Sequence, residues 1–567
     1  MKAGFLAAPV GWFRRHEWET IVAVAGVAFL LGVFGIREQQ FAAGRTISWA
    51  DAIYFSLRLF TFSFDLQDQA GPYAPSPALL SAARFLAPLP LAYAGLKALF
   101  LLARQRLGLW RIRAWRGHAV VFGAGQRGRM VALNLRREGH RVAVVERDPG
   151  NAALSELRDA GVEVVVGNAA DPLCHRQARI GHAGLVLAVT ASEEANLEVA
   201  LAAARRTEVG PVVIQAHVTR AFAEAFESHP PFDRIRNGVH ARFFDHGAAA
   251  ARLLFQEFGP CLVPPPDAGS GRAPRFLLLG DGEVLGELVR TIVIQAHFPG
   301  MAPPAVRVVG PADRSLGGFH ARHPQLELVC GLRRTVLAEP GVTATWLEAA
   351  REEPDPDLVF IACEQDAATL ALARDLVRER PSLRGRIVAC LRPSSNMLAL
   401  LNVAEPVPGV VFRDLVALGC RPGVLLQGEL DRDARAIHER YVAKEVAAGR
   451  DAGSTPSLMD WDDLPESLRQ ANRAQADHFA IKAATLRRGL DDATLEALTE
   501  AEHRRWMAEK IVAGWRHGPV RDDARKLHPS LQAYAGLSEA EQRKDRDAVL
   551  TVARGLAREA AAAKAQP

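Results

Sequence analysis

The alternation of apolar and polar positions divides the chain into four stretches with different periods. Residues 20–36, TIVAVAGVAFLLGVFGI, carry no charge. At about 1.5 Å per residue such a helix, helped by Trp18, comes close to crossing a hydrocarbon core of about 30 Å. A cleaved leader would end in a small-residue site, whereas Arg37 and Glu38 follow this run. A second apolar stretch, residues 77–102, is broken only by Arg84 and Lys97, each near an end, where a long side chain can reach the headgroups. Between them lies an amphipathic, helix-like segment (49–60) leading into Thr61, Phe62, Ser63, Phe64 and Asp65. Beyond residue 117 the pattern changes to apolar runs of four to seven residues separated by helical segments, which predicts parallel sheet with crossover helices. HAVVFGAG opens it and RVAVVE follows. After PPPDAGSGRAP, a linker by composition, the alternation restarts with RFLLLGDGEVLG, VRVVG, VTATWLEAA, DLVFIACEQ and RIVACLRPS. From about residue 431 long polar helical segments take over.

Five divisions follow: two spans with a re-entrant loop and a basic linker (1–117), a first α/β lobe (118–263), a second (275–415), a helical domain (431–555) and a tail (556–567). Length agrees, since 567 residues exceed what one single-site domain needs. Charge refines the picture. The first 117 residues carry a net +7 and the rest a net −2, so nothing supports a nucleic-acid partner for the later domains. Arg104, Arg106, Arg111, Arg113 and Arg116 follow the second span, and Lys2, Arg14 and Arg15 precede the first. By the positive-inside rule both termini lie in the cytoplasm, giving a multi-pass membrane protein. The 6 cysteines are scattered singly. With no CxxC and no histidine spacing for a zinc site, they read as reduced core thiols and no metal is expected.

Candidate chemistry concentrates in the first lobe. Gly123, Gly125 and Gly128 form a GxGxxG turn between a strand and a helix, and the next strand ends in Glu146, where a carboxylate can accept ribose hydroxyls. Gln126, Arg127 and Arg129 open a helix whose N-terminus suits a pyrophosphate, and Arg147 follows the acceptor. In the second lobe Gly280, Gly282 and Gly286 form a turn, but Asp281 and Glu283 put negative charge where a phosphate would sit. The second strand there ends in Gly310, so the ribose acceptor is missing and the lobe reads as structural.

Three resemblances sharpen these expectations. The order span, short helix, filter-like segment, span is similar to the pore module of two-span potassium channels, whose filter reads TVGYG followed by Asp. Here no glycine lies between Thr61 and Asp65, which opposes a glycine-dependent carbonyl cage, and Arg58 opposes cation entry. The segment VEVVVGNAADPLCHRQARIGHAGLVLAVTASEEANLEVALAAAR resembles the N-terminal lobe of RCK (TrkA-N type) domains through Gly167, Asn168, Ala169, Asp171 and Pro172, then Ala188, Val189 and Thr190, with Asn196 in the following helix. That resemblance implies an adenine nucleotide (NAD(H), ATP/ADP or a signalling nucleotide) with the third-strand turn on the adenine side. It also implies homo-oligomeric rings, tetrameric in the family's usual arrangement, beneath a pore in a bacterial inner (cytoplasmic) membrane. The helical domain is similar to the ryanodine-receptor repeat (RyR), with EHxRW, GWxxGPVRDD, KxxHP and KDRD all present. It implies a ligand-binding or interaction module without catalytic activity. Trp506 and Trp515, near Arg505, Arg516 and Arg521, could stack a base and pair its phosphates, or could be helix-packing core. Glu502, Asp522, Asn472 and His478 complete that candidate set. The expected whole is a nucleotide-gated, weakly selective channel and not an enzyme. A non-conducting membrane receptor is the alternative. A tethered NAD-dependent oxidoreductase is weaker, because residues 243–273 are too few for a substrate domain and no Tyr/Lys or His/Asp pair follows the cofactor fold at a suggestive spacing.

Overall fold

The computed structural model describes residues 17–61, 77–205, 212–219, 239–264, 271–282, 284–311, 318–337, 343–351, 355–392, 401, 407–426, 428–451, 453 and 455–565. The chain divides into two compact units, Met1–Arg111 and Ile112–Pro567.

In the first unit α1 (Glu17–Ala42) is one unbroken helix. Against it pack α2 (Trp49–Leu59), whose N-cap is Ser48, and α3 (Ala78–Leu86). The close approach has a local cause in the small residues of α1. A Cβ on Gly32 would stand 2.3 Å from Ser56 Oγ, and one on Gly35 2.5 Å from the Leu80 nitrogen. Ser56 Oγ donates to the Phe29 carbonyl at 2.8 Å, which satisfies a hydroxyl in an apolar contact. Ala28, Val33, Ile36, Ala52, Leu59, Leu80, Ala83 and Ala87 form the core of this unit, while Val22, Val27, Leu30, Phe34, Phe85, Leu89 and Leu96 point outward. Two helical segments, Trp18–Ala42 and Ala78–Lys97, are long and apolar enough to cross a membrane. The second is not one helix: α3 ends at Leu86 with Ala87 as its C-cap, and α4 (Pro88–Arg113) restarts at a proline, a residue suited to a first turn and unable to continue one. Of the filter-like residues only Thr61 is described, exposed at the end of α2 with its hydroxyl on the Arg58 carbonyl. Phe62, Ser63, Phe64 and Asp65 lie outside the described residues.

The second unit holds two sheets of six parallel strands. The first has the order β3-β2-β1-β4-β5-β6, with β1 (His118–Phe122), β2 (Val142–Glu146), β3 (Glu163–Val166), β4 (Ala183–Ala188), β5 (Val212–His217) and β6 (Val239–Phe244). The second repeats it as β9-β8-β7-β10-β11-β12, with β7 (Arg275–Gly280), β8 (Ala305–Gly310), β9 (Gly331–Val336), β10 (Leu358–Ala362), β11 (Ile387–Leu391) and β12 (Val410–Asp414). Strands β10 and β11 are wholly buried apolar runs, and β1 is buried throughout with only His118 polar, as parallel strands covered on both faces should be. The run VTATWLEAA is not a strand: Thr343–Ala349 is helical, and the edge position belongs to GLRRTV, polar and half exposed.

Helices follow the strands in pairs that matter later: α5 (Gln126–Arg137) after β1, α6 (Pro172–Gln177) after β3, α7 (Glu193–Arg205) after β4 and α8 (His246–Phe258) after β6. In the second lobe α9 (Val284–Gln295) follows β7 and α10 (Leu415–Gly419) follows β12. The last helix of each lobe packs against the other lobe. Helix α8 lies on α9, and Val416, Cys420 and Leu425 enter the core of the first sheet. Both helices start on an aspartate cap, Asp245 accepting from Gly247 and Ala248, Asp414 from Ala417.

The C-terminal region comprises α11 (Arg432–Ala447), α12 (Glu466–Asp477), α13 (Phe479–Leu486), α14 (Asp492–Val512) and α15 (Glu539–Ala565), with one pair of two-residue strands, Arg516–His517 and Leu527–His528, inside an otherwise helical fold. Its apolar face is not closed on itself. Ile481, Met507, Ala508, Ile511, Val512 and Leu531 belong to one core with Leu285, Leu288, Ile292, Phe298 and Phe360 of the second lobe. Five of the cysteines are buried, as expected for core thiols, but Cys261 is exposed. Burial pushes the thiols of Cys330, Cys363, Cys390 and Cys420 up to about 12.

Candidate functional site

The glycine-rich turn of the first lobe follows from contacts at its backbone. Gly123 has φ +97°, a region that favours glycine, and a Cβ there would lie 3.0 Å from the Thr190 Cα. Gly128 is more constrained: its Cβ would fall 1.8 Å from the Gly123 carbonyl oxygen, so only hydrogen lets α5 descend onto the turn. A Cβ on Gly125 would meet nothing within 4 Å, which leaves its exposed backbone open to a ligand. Gln126 is exposed in the first turn of α5, and Arg147 is exposed just after β2. Arg129 is held by Glu156 in a two-bond ion pair of 2.6 and 3.0 Å.

Strand register places Glu146 beside this turn, since Phe122 pairs with Val145. Glu146 Oε2 accepts from the Ala124 nitrogen at 2.6 Å and Oε1 from the Asp148 nitrogen at 3.0 Å. The carboxylate therefore stands at the mouth of the turn with an acceptor already fixed in place. Asn168, Ala169 and Asp171 shape the neighbouring loop. Asn168 Oδ1 accepts from Ala170, Asp171 caps α6 at 2.7 Å with Pro172 in its first turn, and the Ala169 carbonyl faces His175 Nε2 at 2.6 Å. Thr190 is tied to the buried Asn196, whose Oδ1 accepts from both the Thr190 nitrogen and hydroxyl at 2.8 Å and whose Nδ2 donates to the His217 carbonyl at 2.8 Å. Gly123, Gly125, Gln126, Arg127, Gly128, Glu146, Asn168, Ala169, Asp171 and Thr190 thus line the carboxyl-end edge of one sheet, where open α/β folds bind ligands.

That edge holds two residues the sequence did not single out. Arg127 Nη1 lies 2.7 Å from the ring nitrogens of His217, and His217 Nε2 lies 2.8 Å from His246 Nδ1. Burial, then Arg127 and then His246, drives the His217 pKa down to about 2. Burial and Arg127 bring His246 to about 3. Both imidazoles are neutral at physiological pH. The sequence signal was available only by position, each histidine closing or following a strand at the ligand edge.

The corresponding edge of the second lobe has the same backbone without the polar fittings. Gly280 has φ +148° and matches Gly123. Counting from it, Leu285 and not Gly286 stands where Gly128 stands, and Leu285 is buried. Leu279 pairs with Val309, which sets Gly310 opposite Glu146. A Cβ there would strike the Gly280 carbonyl oxygen at 2.1 Å. Asp281, expected to repel a phosphate, accepts from the Glu364 nitrogen at 2.7 Å. Glu283 lies outside the described residues.

In the C-terminal region Trp506 and Trp515 come together across His528, with ring centroids 5.0 and 6.2 Å from it, and both pack against the core shared with the second lobe. Arg505 does not join them. It is buried and pairs with Glu502 at 3.1 Å, where Lys482 also reaches Glu502 at 2.6 Å and His478 at 3.5 Å. Burial would raise the Glu502 carboxyl, but Arg505 and Lys482 hold it well below the usual range. Burial lowers Lys482 and His478. Arg516 and Arg521 are exposed, the latter paired with Asp523 at 2.7 Å. Asp522 accepts from the Arg525 nitrogen, and Asn472 donates to the Leu468 carbonyl of its own helix. The expected cleft is therefore two separate groupings, an aromatic set around His528 and a buried ionic one around Glu502.

Among solved structures the chain is similar to the GsuK channel, with 14–15% identity and a TM-score of 0.39 for the channel and for the channel bound to NAD, and 13% with 0.38 for GsuK bound to ADP. Each covers 74% of this chain, and 99%, 84% and 99% of those chains respectively. Family models match two segments: the TrkA-N domain at residues 119–229 and the RyR domain at residues 480–558. The match to the TrkA-N domain thus falls on the first parallel sheet, and the match to the RyR domain on helices built on the second sheet.

Proposed function

We propose that this chain is a membrane protein of the potassium-channel type whose first lobe senses an adenine nucleotide. The observation that carries the reading is the conjunction at one sheet edge of the glycine turn, the open backbone at Gly125 and the Glu146 carboxylate beside it. A phosphate on the α5 N-terminus and a ribose on Glu146 would use all three. The TrkA-N match over residues 119–229 supports this, the two apolar helical segments support a membrane location, and the basic residues flanking them favour cytoplasmic termini. In this reading four chains form the ring, and nucleotide opens or closes a pore only through a difference in affinity between the two ring states. The RyR domain is a second ligand or partner site, with Trp506 and Trp515 as its aromatic face. No catalytic role is assigned.

Calorimetry on the purified protein with ADP, ATP, NAD and NADH tests the nucleotide reading. Binding to the parent protein that falls tenfold or more in Glu146→Ala supports it. Equal binding in both proteins rejects the site.

The absence of glycine from Thr61 to Asp65 favours a second reading, an anchored receptor that does not conduct. Bilayer recordings under saturating nucleotide separate the two: a current with little preference for potassium over sodium supports the channel, and none supports the receptor.

A further inference from the structure

Strands β5 and β6 end side by side, since Val212 pairs with Val239 and His217 with Phe244. Their ends deliver three metal-ligating side chains to one corner: His217 closes β5, and Asp245 and His246 follow β6 directly. One ligand atom from each lies within 4.8 Å of the others, and the two imidazole nitrogens are 2.8 Å apart. A tetrahedral ion bonded at about 2.0–2.2 Å spaces its ligands by roughly 3.4 Å, so small ring rotations suffice. We propose that His217, Asp245 and His246 form a binding site for a divalent transition-metal ion of the zinc class, for which the guanidinium of Arg127 competes.

The groups are held from behind, as metal ligands need to be. The His217 carbonyl accepts from the buried Asn196 amide, and its ring packs edge-on against Phe244 at 5.4 Å. Asp245 makes both of its cap bonds, to Gly247 and Ala248, through Oδ1. A cation already sits in the corner, because Arg127 Nη1 lies 2.7 Å from the His217 nitrogens. Two imidazoles and one carboxylate suit Zn²⁺, Co²⁺ or Ni²⁺, whereas Mg²⁺ and Ca²⁺ prefer sets of oxygens. Three protein ligands leave a fourth position for water or another small donor. The site uses no residue of the glycine turn except Arg127, so it stands whether or not the lobe binds a nucleotide.

The test is Co²⁺ titration of untagged, chelator-treated, full-length protein in detergent, read by the visible absorption of tetrahedral Co²⁺. The expected result is one Co²⁺ per chain, displaced by Zn²⁺ and not by excess Mg²⁺, with the signal lost in H217Q and H246Q. Arg127→Gln removes the competing charge without touching a ligand, and should tighten Co²⁺ binding about tenfold, the equivalent of ~1.4 kcal/mol. Binding no tighter than that of Mg²⁺ would overturn the proposal. So would a Co²⁺ spectrum unchanged in a folded H217Q/H246Q protein, or an Arg127→Gln protein that binds Co²⁺ more weakly than the parent.

Discussion

The two α/β lobes share strand order, the positive-φ glycine after the first strand and an aspartate-capped closing helix, yet only one has an edge fitted for a polar ligand. Even a smaller device is common to both. In the first lobe the Thr190 nitrogen is satisfied by a side chain six residues on, Asn196, and in the second the Cys363 nitrogen by Thr369 at the same spacing. The difference lies in what fills the space above the turn. In the first lobe a Cβ on Gly125 would meet nothing within 4 Å and the Glu146 carboxylate stands beside it, while in the second Leu285 is buried and a Cβ on Gly310 would strike backbone. The second lobe has the sheet without the polar edge, and its apolar helix α9 packs under the C-terminal helices. The leucine that stands where Gly128 stands in the first lobe belongs to the core shared with those helices.

The largest test of that contrast is Leu285→Ala. Removing a buried leucine should cost about 2–5 kcal/mol and lower the melting temperature while leaving nucleotide affinity unchanged; a change in affinity with no change in melting would reverse the roles of the lobes. Transplanting the acceptor comes next. Glu146→Ala should weaken nucleotide binding by about 1.5–3 kcal/mol, as for hydrogen bonds to a charged group. Gly310→Glu should create no second site, because its Cβ meets the Gly280 carbonyl; calorimetry showing two nucleotides per chain would refute this.

A smaller effect concerns the seam beneath the second lobe. His323 faces the Ile511 carbonyl near Arg290 and Arg322, and its pKa is lowered to about 4, chiefly by burial. His297, near Arg504, Arg505 and His478, lies well below its ordinary value for the same reason. In the unfolded chain both titrate near 6.5. As pH falls below that value the unfolded state takes up protons that the folded state refuses, so stability drops with falling pH, by on the order of 1 kcal/mol per unit for each histidine. Thermal melts from pH 7 to 5 should decline, and less steeply in His323→Gln; identical slopes would remove His323 from the account. The smallest expected change is Asp414→Ala, about 1 kcal/mol for loss of a helix cap, measured by chemical denaturation against Asp245→Ala.

Much of this was legible beforehand, where one residue type at one spacing has one physical use. The buried strands, the GxGxxG turn and Glu146 about twenty residues later fall in that class. Other features depend on counting from a strand end or on meetings in space. Gly286 looked like the third glycine of a motif until the end of β7 set Leu285 in its place. GLRRTV carries too little apolar surface to read as a strand, since an edge strand need bury only part of itself. Arg505 was placed with the tryptophans although it lies three residues from Glu502, and helix α14 turns that pair inward. His217 and His246 are 29 residues apart in sequence and meet only because their strands pair.

The core that runs from the second sheet into the helices has a practical consequence for dissection of the molecule. A cut near residue 431 would bare Ile481, Met507, Ile511 and Val512 on one fragment and Leu288, Ile292 and Phe298 on the other. Neither fragment would be expected to remain dispersed in water, because each would expose a contiguous oily face. The two regions should instead exchange their deepest amide protons at a common rate, as one cooperative block. In that sense the C-terminal helices have the second lobe as their floor, and the two are expected to move as one body.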